Sequence, residues 1–334
     1  MPPEDDKGRT FGVHCFRCRV SPLSPLPMPT ADRQRVLMTG ATGFIGWPTA
    51  QALRTAGFEV HALTRTAVNM GAGHSHVVDV LDRDGVTEAI AEIRPSHLMH
   101  LAWDLSDYDG PHHLSWVRAS LHLLEQFKRA GGHRAVLAGT CFEYDASYGY
   151  CTEALTPIRP TTFYGQAKAS LSSLAHSFAE AGGLSVASAR IFFVYGPRQS
   201  SRQLIPDVIE SLLAGETAEC THGQQVRDYL HVEDVAGACT ALLQSSVEGS
   251  VNVGSGVPTR LQDMIYTVAD AIGTRSRVAL GARSASPNEP PLLVANPARL
   301  QERVGWRPSF TLREGLLDTV EWWRSTAPRS TAPS

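Results

Sequence analysis

A glycine-rich turn near the start of the regular part of the chain constrains the fold more than any other feature. The apolar run Val36-Leu37-Met38 leads into Thr-Gly-Ala-Thr-Gly-Phe-Ile-Gly at residues 39–46, and a segment of helical periodicity follows. Glycines at this spacing allow a tight turn, close approach of a phosphate and close helix packing, while amides at a helix N-terminus attract phosphates. The order of strand, turn and helix therefore predicts a dinucleotide-binding unit, although the turn alone would suit an ordinary βα connection. The candidate pyrophosphate contacts are Gly40, Thr42, Gly43, Phe44, Ile45 and Gly46.

Short apolar runs recur along the chain and alternate with segments of helical periodicity. Such runs are typical of strands that helices cover on both faces. The predicted fold class is therefore α/β, a Rossmann doubly wound parallel sheet. The runs lie at residues 36–38, 60–63, 77–78, 98–101, 136–138, 186–194 and 251–253.

The alternation of apolar runs and helical segments changes after residue 196. This change predicts a smaller, discontinuous C-terminal substrate-binding lobe at the carboxyl edge of the sheet. Prolines in residues 1–34 oppose helix and central strand, so we expect a disordered N-terminal extension there. The predicted dinucleotide-binding domain comprises residues 35–196 and about 224–255. The lobe comprises about 197–223 and 256–326, and a tail follows at 327–334.

Composition excludes several classes of function. The 334 residues carry a net charge of −3, and no apolar run approaches the roughly 18 residues of a membrane helix. Neither a membrane nor a nucleic acid is therefore expected as a partner. Six cysteines are too sparse for a disulfide scaffold and fit a reducing, cytoplasmic compartment. Cys15 and Cys18 have no second pair at zinc-finger spacing, so no metal site is predicted.

The end of the second predicted strand bears on the choice of cofactor. Arg65 stands where an NAD site normally places a carboxylate on the ribose 2′-hydroxyl. A guanidinium suits a 2′-phosphate, so NADP(H) is favoured and NAD(H) remains possible, against the alternative of one more surface arginine. Asp79 is placed either to accept from the adenine amino group or to cap a helix. Val80, after the third strand, and Leu101 and Ala102, at the end of the fourth, complete the candidate cofactor contacts.

Lysine is rare in this chain. It occupies three of the 30 lysine and arginine positions, and one of the three is Lys168. Tyr164 lies four residues earlier, so the two side chains would share a face of a helix. A cation beside a phenol favours the phenolate, which predicts a lowered pKa for Tyr164 and a role in proton transfer. Chance pairing of two surface residues is the alternative.

Three motifs together resemble the extended short-chain dehydrogenase/reductases, and more narrowly their nucleotide-sugar epimerase/dehydratase/reductase branch. The likeness runs over about residues 35–323. The motifs are Gly40-x-x-Gly43-x-x-Gly46, Tyr164-x-x-x-Lys168 and Arg227-Asp-Tyr-Leu-His-Val-x-Asp234.

This resemblance implies an activity and a set of catalytic residues. Tyr164 would exchange a proton with a sugar hydroxyl or ketone, Thr140 would hold that oxygen, and hydride would pass to or from the nicotinamide. Lys168 would also bind the nicotinamide ribose. The implied substrate is a nucleotide-diphosphate sugar, and the helices around residues 114–129 and 164–181 would form a homodimer.

The two residues after Thr140 depart from the family's 4,6-dehydratases, which place Asp and Glu there for the elimination of water. This chain has Cys141 and Phe142 instead. Glu143 follows and, on an extended strand, would point to the opposite side. Dehydratase chemistry is therefore disfavoured. Cys141 is interpreted either as an acid or base of an epimerase or as inert packing.

Four further residues are candidates for the substrate site by the same resemblance. Arg227 matches an arginine that holds the nucleotide diphosphate, although a structural pair with Asp228 is the alternative. Glu289 follows Asn288 on an irregular loop near the nucleotide or sugar. Phe193 replaces a usual Asn, and Trp103 is large where many relatives carry a small residue.

Three functional hypotheses result. The first is an NADPH-dependent 4-ketoreductase of a nucleotide-activated deoxysugar, which the missing acid and Arg65 favour. The second is a nucleotide-sugar epimerase that retains its NAD. The third is a non-catalytic, dinucleotide-sensing protein on the same fold, and the retained Thr140, Tyr164 and Lys168 argue against it.

Overall fold

Seven parallel strands form the central sheet in the order β11-β7-β5-β4-β1-β2-β3. The computed structural model describes residues 34–71, 73–286 and 289–326. The predicted N-terminal extension, the pair Cys15 and Cys18, Asn288 and the tail lie outside the described residues. The strands of this sheet are β1 (Arg35–Thr39), β2 (Glu59–Thr64), β3 (His74–Val77), β4 (His97–His100), β5 (Arg134–Thr140), β7 (Ser185–Ile191) and β11 (Gly249–Val253).

Helices cover both faces of this sheet, as the buried strands require. Along β1, Val36 and Met38 point to one face and Leu37 to the other, and all three are fully buried. The first face packs on α1 and α6, and the second on α2, α3 and α4. The predicted doubly wound α/β fold is confirmed. These helices are α1 (Gly46–Thr55), α2 (Arg83–Ile93), α3 (His113–Arg129), α4 (Phe163–Gly182) and α6 (Val232–Gln244).

A second sheet draws its strands from distant parts of the chain. Its order is β12-β10-β14-β6, with β8 also paired to β10. The carboxylate of Asp228 in β10 accepts hydrogen bonds from the amides of Ser255, Gly256 and Ala295 and from the Ser255 hydroxyl. The strands are β6 (Tyr150–Cys151), β8 (Phe193–Tyr195), β10 (Val226–His231), β12 (Pro258–Arg260) and β14 (Leu292–Ala295).

The remaining C-terminal elements share a separate apolar core. Each of the three helices contributes a fully buried side chain to this core, namely Ile209, Met264 and Leu316. Removal of these apolar side chains from water stabilises the core. The elements are α5 (Leu204–Leu213), β9 (Ala218–Cys220), α7 (Leu261–Ile272), β13 (Val278–Leu280) and α8 (Leu312–Thr326), with β9 and β13 paired.

Strand pairing departs from the predicted domain division at three strands, and the first is β6, which lies within residues 35–196 yet pairs in the second sheet. β10 falls in the segment 224–255 assigned to the dinucleotide-binding domain, yet it pairs in the second sheet. The apolar run at 186–194 is not one strand, because β7 ends at Ile191 and β8 begins at Phe193 in the other sheet. The predicted domain boundaries otherwise remain a prediction. Within the described part of the chain, no helix has the length and apolarity to cross a membrane.

Candidate active site

The glycine turn is shaped by contacts that exclude side chains. Gly40 has a φ of +74°, and a Cβ there would lie 2.7 Å from the amide nitrogen of Ala102. A Cβ on Gly46 would lie 1.8 Å from the carbonyl oxygen of Gly40. The turn after β1 therefore packs directly on the chain that leaves β4, where the strand order reverses. Ligands of open α/β sheets bind at this switch point.

The N-terminus of α1 is open toward this turn. Among the described residues, no side chain caps α1, and its first turn carries no acid. Ile45 is the N-cap residue and packs partly on the core. Phe44 lines a surface cavity of about 430 Å³ beside Thr42 and Gly43. Uncapped amides and the helix dipole both favour an anion at this position.

A cleft of about 310 Å³ runs along the carboxyl edge of the sheet from the glycine turn. Arg65 is exposed in this cleft. Asp79 accepts a hydrogen bond from the amide of Leu81 at 2.9 Å, and the N-cap of α2 is Asp82, so the capping alternative for Asp79 is wrong. Leu101 instead packs on the core behind the turn. Candidate residues that line the cleft are Gly40, Thr42, Gly43, Arg65, Asp79, Val80, Ala102 and Trp103.

These features fit a dinucleotide. The glycine turn, which side chains would fill, and the open N-terminus of α1 suit a pyrophosphate. The cleft extends from there to the exposed Arg65.

Thr140 and Tyr164 meet at the carboxyl end of β5 and the start of α4. Thr162 caps α4 through the amide of Gly165, and the Tyr164 amide donates to the carbonyl of Tyr108 at 2.8 Å. The hydroxyl of Thr140 lies near the phenol of Tyr164 and favours its ionised form. Burial raises the pKa of the Tyr164 phenol, and the neighbouring Thr140 hydroxyl only partly offsets this rise. The predicted lowering of this pKa is therefore wrong, and the phenol is protonated at neutral pH.

Lys168 lies one helical turn from Tyr164, as predicted, but its ammonium points toward Ala138 and Trp103. Its Nζ donates to the carbonyl oxygen of Ala138 at 2.8 Å and lies 3.8 Å from the centre of the Trp103 ring. Burial lowers its pKa to about 7, partly offset by the charge of Glu143. The cation is thus held under Trp103, which itself lines the cleft.

The shifted pKa of Lys168 predicts a pH-dependent contribution to stability. The unfolded chain keeps this proton up to a pKa near 10.5, whereas the folded chain releases it near about 7. Because the unfolded state binds more protons in between, the free energy of unfolding of the wild type should rise relative to Lys168→Met from about pH 7 to pH 9. Urea unfolding of both proteins across that range measures this. A difference that stays constant with pH would contradict the assigned ionisation.

Glu143 departs from its predicted position. The chain leaves the extended conformation after Thr140 and forms a 3-10 turn, Cys141–Glu143. The Glu143 carboxylate turns back, accepts from the amide of Thr140 at 2.9 Å and pairs with Arg190 Nε at 2.7 Å. Arg190 also donates to the hydroxyl of Tyr144, which donates to Asn252. Glu143 is therefore a buried residue that positions Thr140 through its amide, and its carboxylate is already paired with Arg190.

Cys141 packs in an apolar cluster with Tyr144, Cys151 and Phe192. Burial raises the pKa of its thiol, so the thiol is neutral and a poor acid or base. The structure thus favours inert packing over a chemical role.

Aromatic side chains surround Tyr164. Ring centres of Trp103, Tyr108 and Phe142 lie 6.3, 5.4 and 6.4 Å from that of Tyr164. Phe193 continues this wall, 6.1 Å from Phe142. The surroundings of the Tyr164 ring are therefore largely aromatic, with the ring of His113 also 5.6 Å away.

Arg227 and Glu289 are brought together. Arg227 Nη2 donates to Glu289 Oε1 at 2.9 Å, Gln225 donates to the other carboxylate oxygen, and the guanidinium lies 5.4 Å from the Phe193 ring centre. The alternative pairing of Arg227 with Asp228 is wrong, because Asp228 is held by backbone amides. Glu289 therefore pairs with the guanidinium of Arg227.

Two parts of the site were missed in the sequence. One is Glu143, although Thr140-x-x-Glu143 has the spacing of a capping box, which the structure forms. The other is the support of Ala102. Its amide donates to the Thr39 hydroxyl, which is hydrogen-bonded to buried His100 at 2.7 Å. Burial lowers the pKa of His100 to about 3, so this imidazole is neutral.

The fold and the site define a class, the Rossmann-fold nicotinamide-dinucleotide proteins of the extended short-chain dehydrogenase/reductase type. Within that class, the model of the NAD dependent epimerase/dehydratase family matches residues 36–254, and the chain belongs to this family.

Individual relatives span nearly the same length. The CDP-abequose synthase of Salmonella typhimurium is 25% identical over 304 residues, which cover 86% of this chain and 98% of that protein. The UDP-glucose 4-epimerase of Mycolicibacterium smegmatis is 27% identical over 325 residues, with 87% and 99% covered.

Solved structures show the same fold. The UDP-glucose 4-epimerase of Thermus thermophilus, in complex with NAD, has a TM-score of 0.79 and 29% identity, with 87% of this chain and 99% of that chain covered. MoeE5 in complex with UDP-glucuronic acid and NAD has a TM-score of 0.77, 31% identity and the same coverage.

Proposed function

We propose that this protein is an NADPH-dependent 4-ketoreductase of a nucleotide-activated deoxysugar. The observation that carries the proposal is the protonated, buried Tyr164 beside Thr140, in a site whose neighbouring acid is committed to Arg190. A ketone that accepts hydride develops negative charge on oxygen and needs one proton. Elimination of water needs a further acid and base, which Cys141 and Phe142 do not supply.

The residues divide the proposed reaction between them. The bound cofactor would supply hydride to the carbonyl carbon. Thr140 holds the carbonyl oxygen, and Tyr164 donates its phenolic proton to that oxygen as the C–H bond forms. Lys168, whose ammonium contacts the Ala138 carbonyl and the Trp103 ring, would have to turn toward the phenol to stabilise the phenolate left behind. The aromatic wall of Trp103, Tyr108 and Phe142 limits the access of water to this oxygen and offers an apolar contact to the C6 methyl group of a 6-deoxy sugar.

An epimerase with retained NAD is the second candidate, and its support is the activity of two relatives, both UDP-glucose 4-epimerases. An epimerase must return hydride to the opposite face of the ring, so the sugar needs space to turn. The close packing of Trp103 and Phe142 around Tyr164 favours the reductase.

A turnover experiment separates these candidates. Purified protein is incubated with NADPH and nucleotide 4-keto-6-deoxy sugars with different bases. The expected result is loss of the NADPH absorbance, matched mole for mole by reduced sugar. If NADPH is not oxidised and a nicotinamide dinucleotide co-purifies with the protein, the epimerase replaces the reductase. A protein that binds dinucleotide and turns over neither type of substrate would support the sensor hypothesis.

Arg65 is expected to set the preference for NADPH. A charged hydrogen bond to the 2′-phosphate contributes about 1.5–3 kcal/mol, so Arg65→Ala should weaken NADPH binding by about 10- to 100-fold. NADH binding should change by less than about threefold. Titrating both cofactors against wild type, Arg65→Ala and the matched surface variant Arg83→Ala measures this. Equal losses for the two cofactors would remove Arg65 from the phosphate site.

A further inference from the structure

Three potential metal ligands meet on the outer strands of the central sheet. Glu59 and His61 are two residues apart on β2, so they share a face. His61 pairs in register with His74 on the edge strand β3, and the two rings stack with centres 4.6 Å apart. This cluster lies away from the glycine turn and has no part in the proposed reaction. We propose that Glu59, His61 and His74 form a binding site for a divalent transition metal ion, Zn²⁺ in the first instance.

Distances within the cluster fit such an ion. Glu59 Oε1 lies 3.0 Å from His61 Nε2 and 3.3 Å from His74 Nε2, and one ligand atom from each residue lies within 4.8 Å of the others. Tetrahedral zinc with bonds of about 2.0–2.1 Å separates its ligand atoms by about 3.3 Å. Two imidazoles and one carboxylate are also a donor set that borderline metals prefer. Small side-chain adjustments would therefore suffice for coordination.

His76, which lies beside His61, supports the same assignment. His61 Nδ1 lies 3.1 Å from His76 Nε2. If His61 binds metal through Nε2, its Nδ1–H can donate to His76, and a partner on the second nitrogen is what orients a ligating histidine.

Exposure leaves a path for the ion and a place for a fourth ligand. The His74 side chain is 56% exposed and that of Glu59 is 33% exposed, whereas His61 is buried. An ion would thus sit at the surface of the sheet edge, with water completing its coordination. Because β3 has four residues and one neighbouring strand, the metal would tie this edge strand to β2. β3 leads directly to Asp79 and Val80 in the cleft.

The experiment uses the full chain without an affinity tag, treated with chelator, on a Cys15→Ser/Cys18→Ser background that removes the C-x-x-C pair. Zn²⁺ is titrated by calorimetry and Co²⁺ by visible absorption. We expect one ion per chain, the absorption of four- or five-coordinate Co²⁺ and a higher thermal midpoint with Zn²⁺. His74→Ala and Glu59→Gln should each weaken binding by more than about 100-fold, and His76→Ala by about 10- to 100-fold.

His222→Ala is the matched control, because this exposed histidine lies in a loop outside the cluster. It should bind as the parent does. Equal binding by the parent and His74→Ala would overturn the proposal, as would no binding by the parent up to millimolar Zn²⁺. Glu59→Gln keeps the shape of a half-exposed side chain, so the test holds even if the alanine variants unfold.

Discussion

Tyr164→Phe should lower kcat by about 10²- to 10⁴-fold while leaving the fold and nucleotide binding intact. The variant removes one oxygen, and with it the proton that the developing alkoxide must take. Thr140 can still hold the substrate oxygen, so the loss falls on the chemical step more than on KM. Because the phenol of Tyr164 is protonated in the free protein, the loss should be present throughout the neutral pH range. Steady-state NADPH oxidation with a 4-keto sugar measures it.

Tyr148→Phe provides the control for loss of a phenolic hydroxyl, since Tyr148 is exposed on a surface turn. It should keep full turnover. If Tyr164→Phe retained turnover within about threefold of the wild type, the proton would have to come from another group, and the catalytic assignment would fail. Circular dichroism and dinucleotide titration show whether a loss reflects chemistry or folding.

Glu143→Ala should destabilise the protein by about 3–5 kcal/mol. The substitution leaves the guanidinium of Arg190 buried without its carboxylate, and it frees the amide of Thr140 from its acceptor. The Glu143 side chain is completely buried and that of Arg190 is 7% exposed, so water cannot replace the lost partner. Urea unfolding measures the difference in free energy. The loosened turn should also lower kcat through misplacement of Thr140.

Glu125→Ala is the matched control, since Glu125 pairs with Arg129 on the exposed face of α3. Removal of this pair should cost about 0.2–1 kcal/mol, because solvent screens exposed ion pairs. Similar costs for the two substitutions would show that the Glu143–Arg190 pair contributes no more than a surface pair, and would contradict its assigned role.

Local patterns predicted the scaffold well. The buried runs and the glycine spacing depend on neighbouring residues, so the doubly wound sheet and the turn after β1 could be predicted from the sequence. The position of Glu143 could not be obtained in the same way. Its turn away from the extended conformation is stabilised by Arg190, 47 residues further on. The capping-box spacing was the one local signal available.

The chemistry of Tyr164 also depended on distant residues. Spacing placed Lys168 on the same helix face, but Ala138 and Trp103, from two other segments, determine where its ammonium points. Burial of the phenol by Trp103, Tyr108 and Phe142 then sets the direction of its pKa shift. Likewise, β10 joins the second sheet because β8, β12 and β14 supply its partners. Each of these outcomes is a tertiary effect that overrides a local expectation.

The carboxylate of Asp228 has a consequence for protein engineering. Its hydrogen bonds join β10 to the loop after β11 and to the end of β14, segments that lie 27 to 67 residues further along the chain. A chimaera with one crossover between residues 228 and 255 would take this carboxylate from one parent and its four donors from the other. Exchanging substrate specificity between relatives therefore requires several short grafts around Asp228, because no single cut separates the lobe from the sheet that carries it.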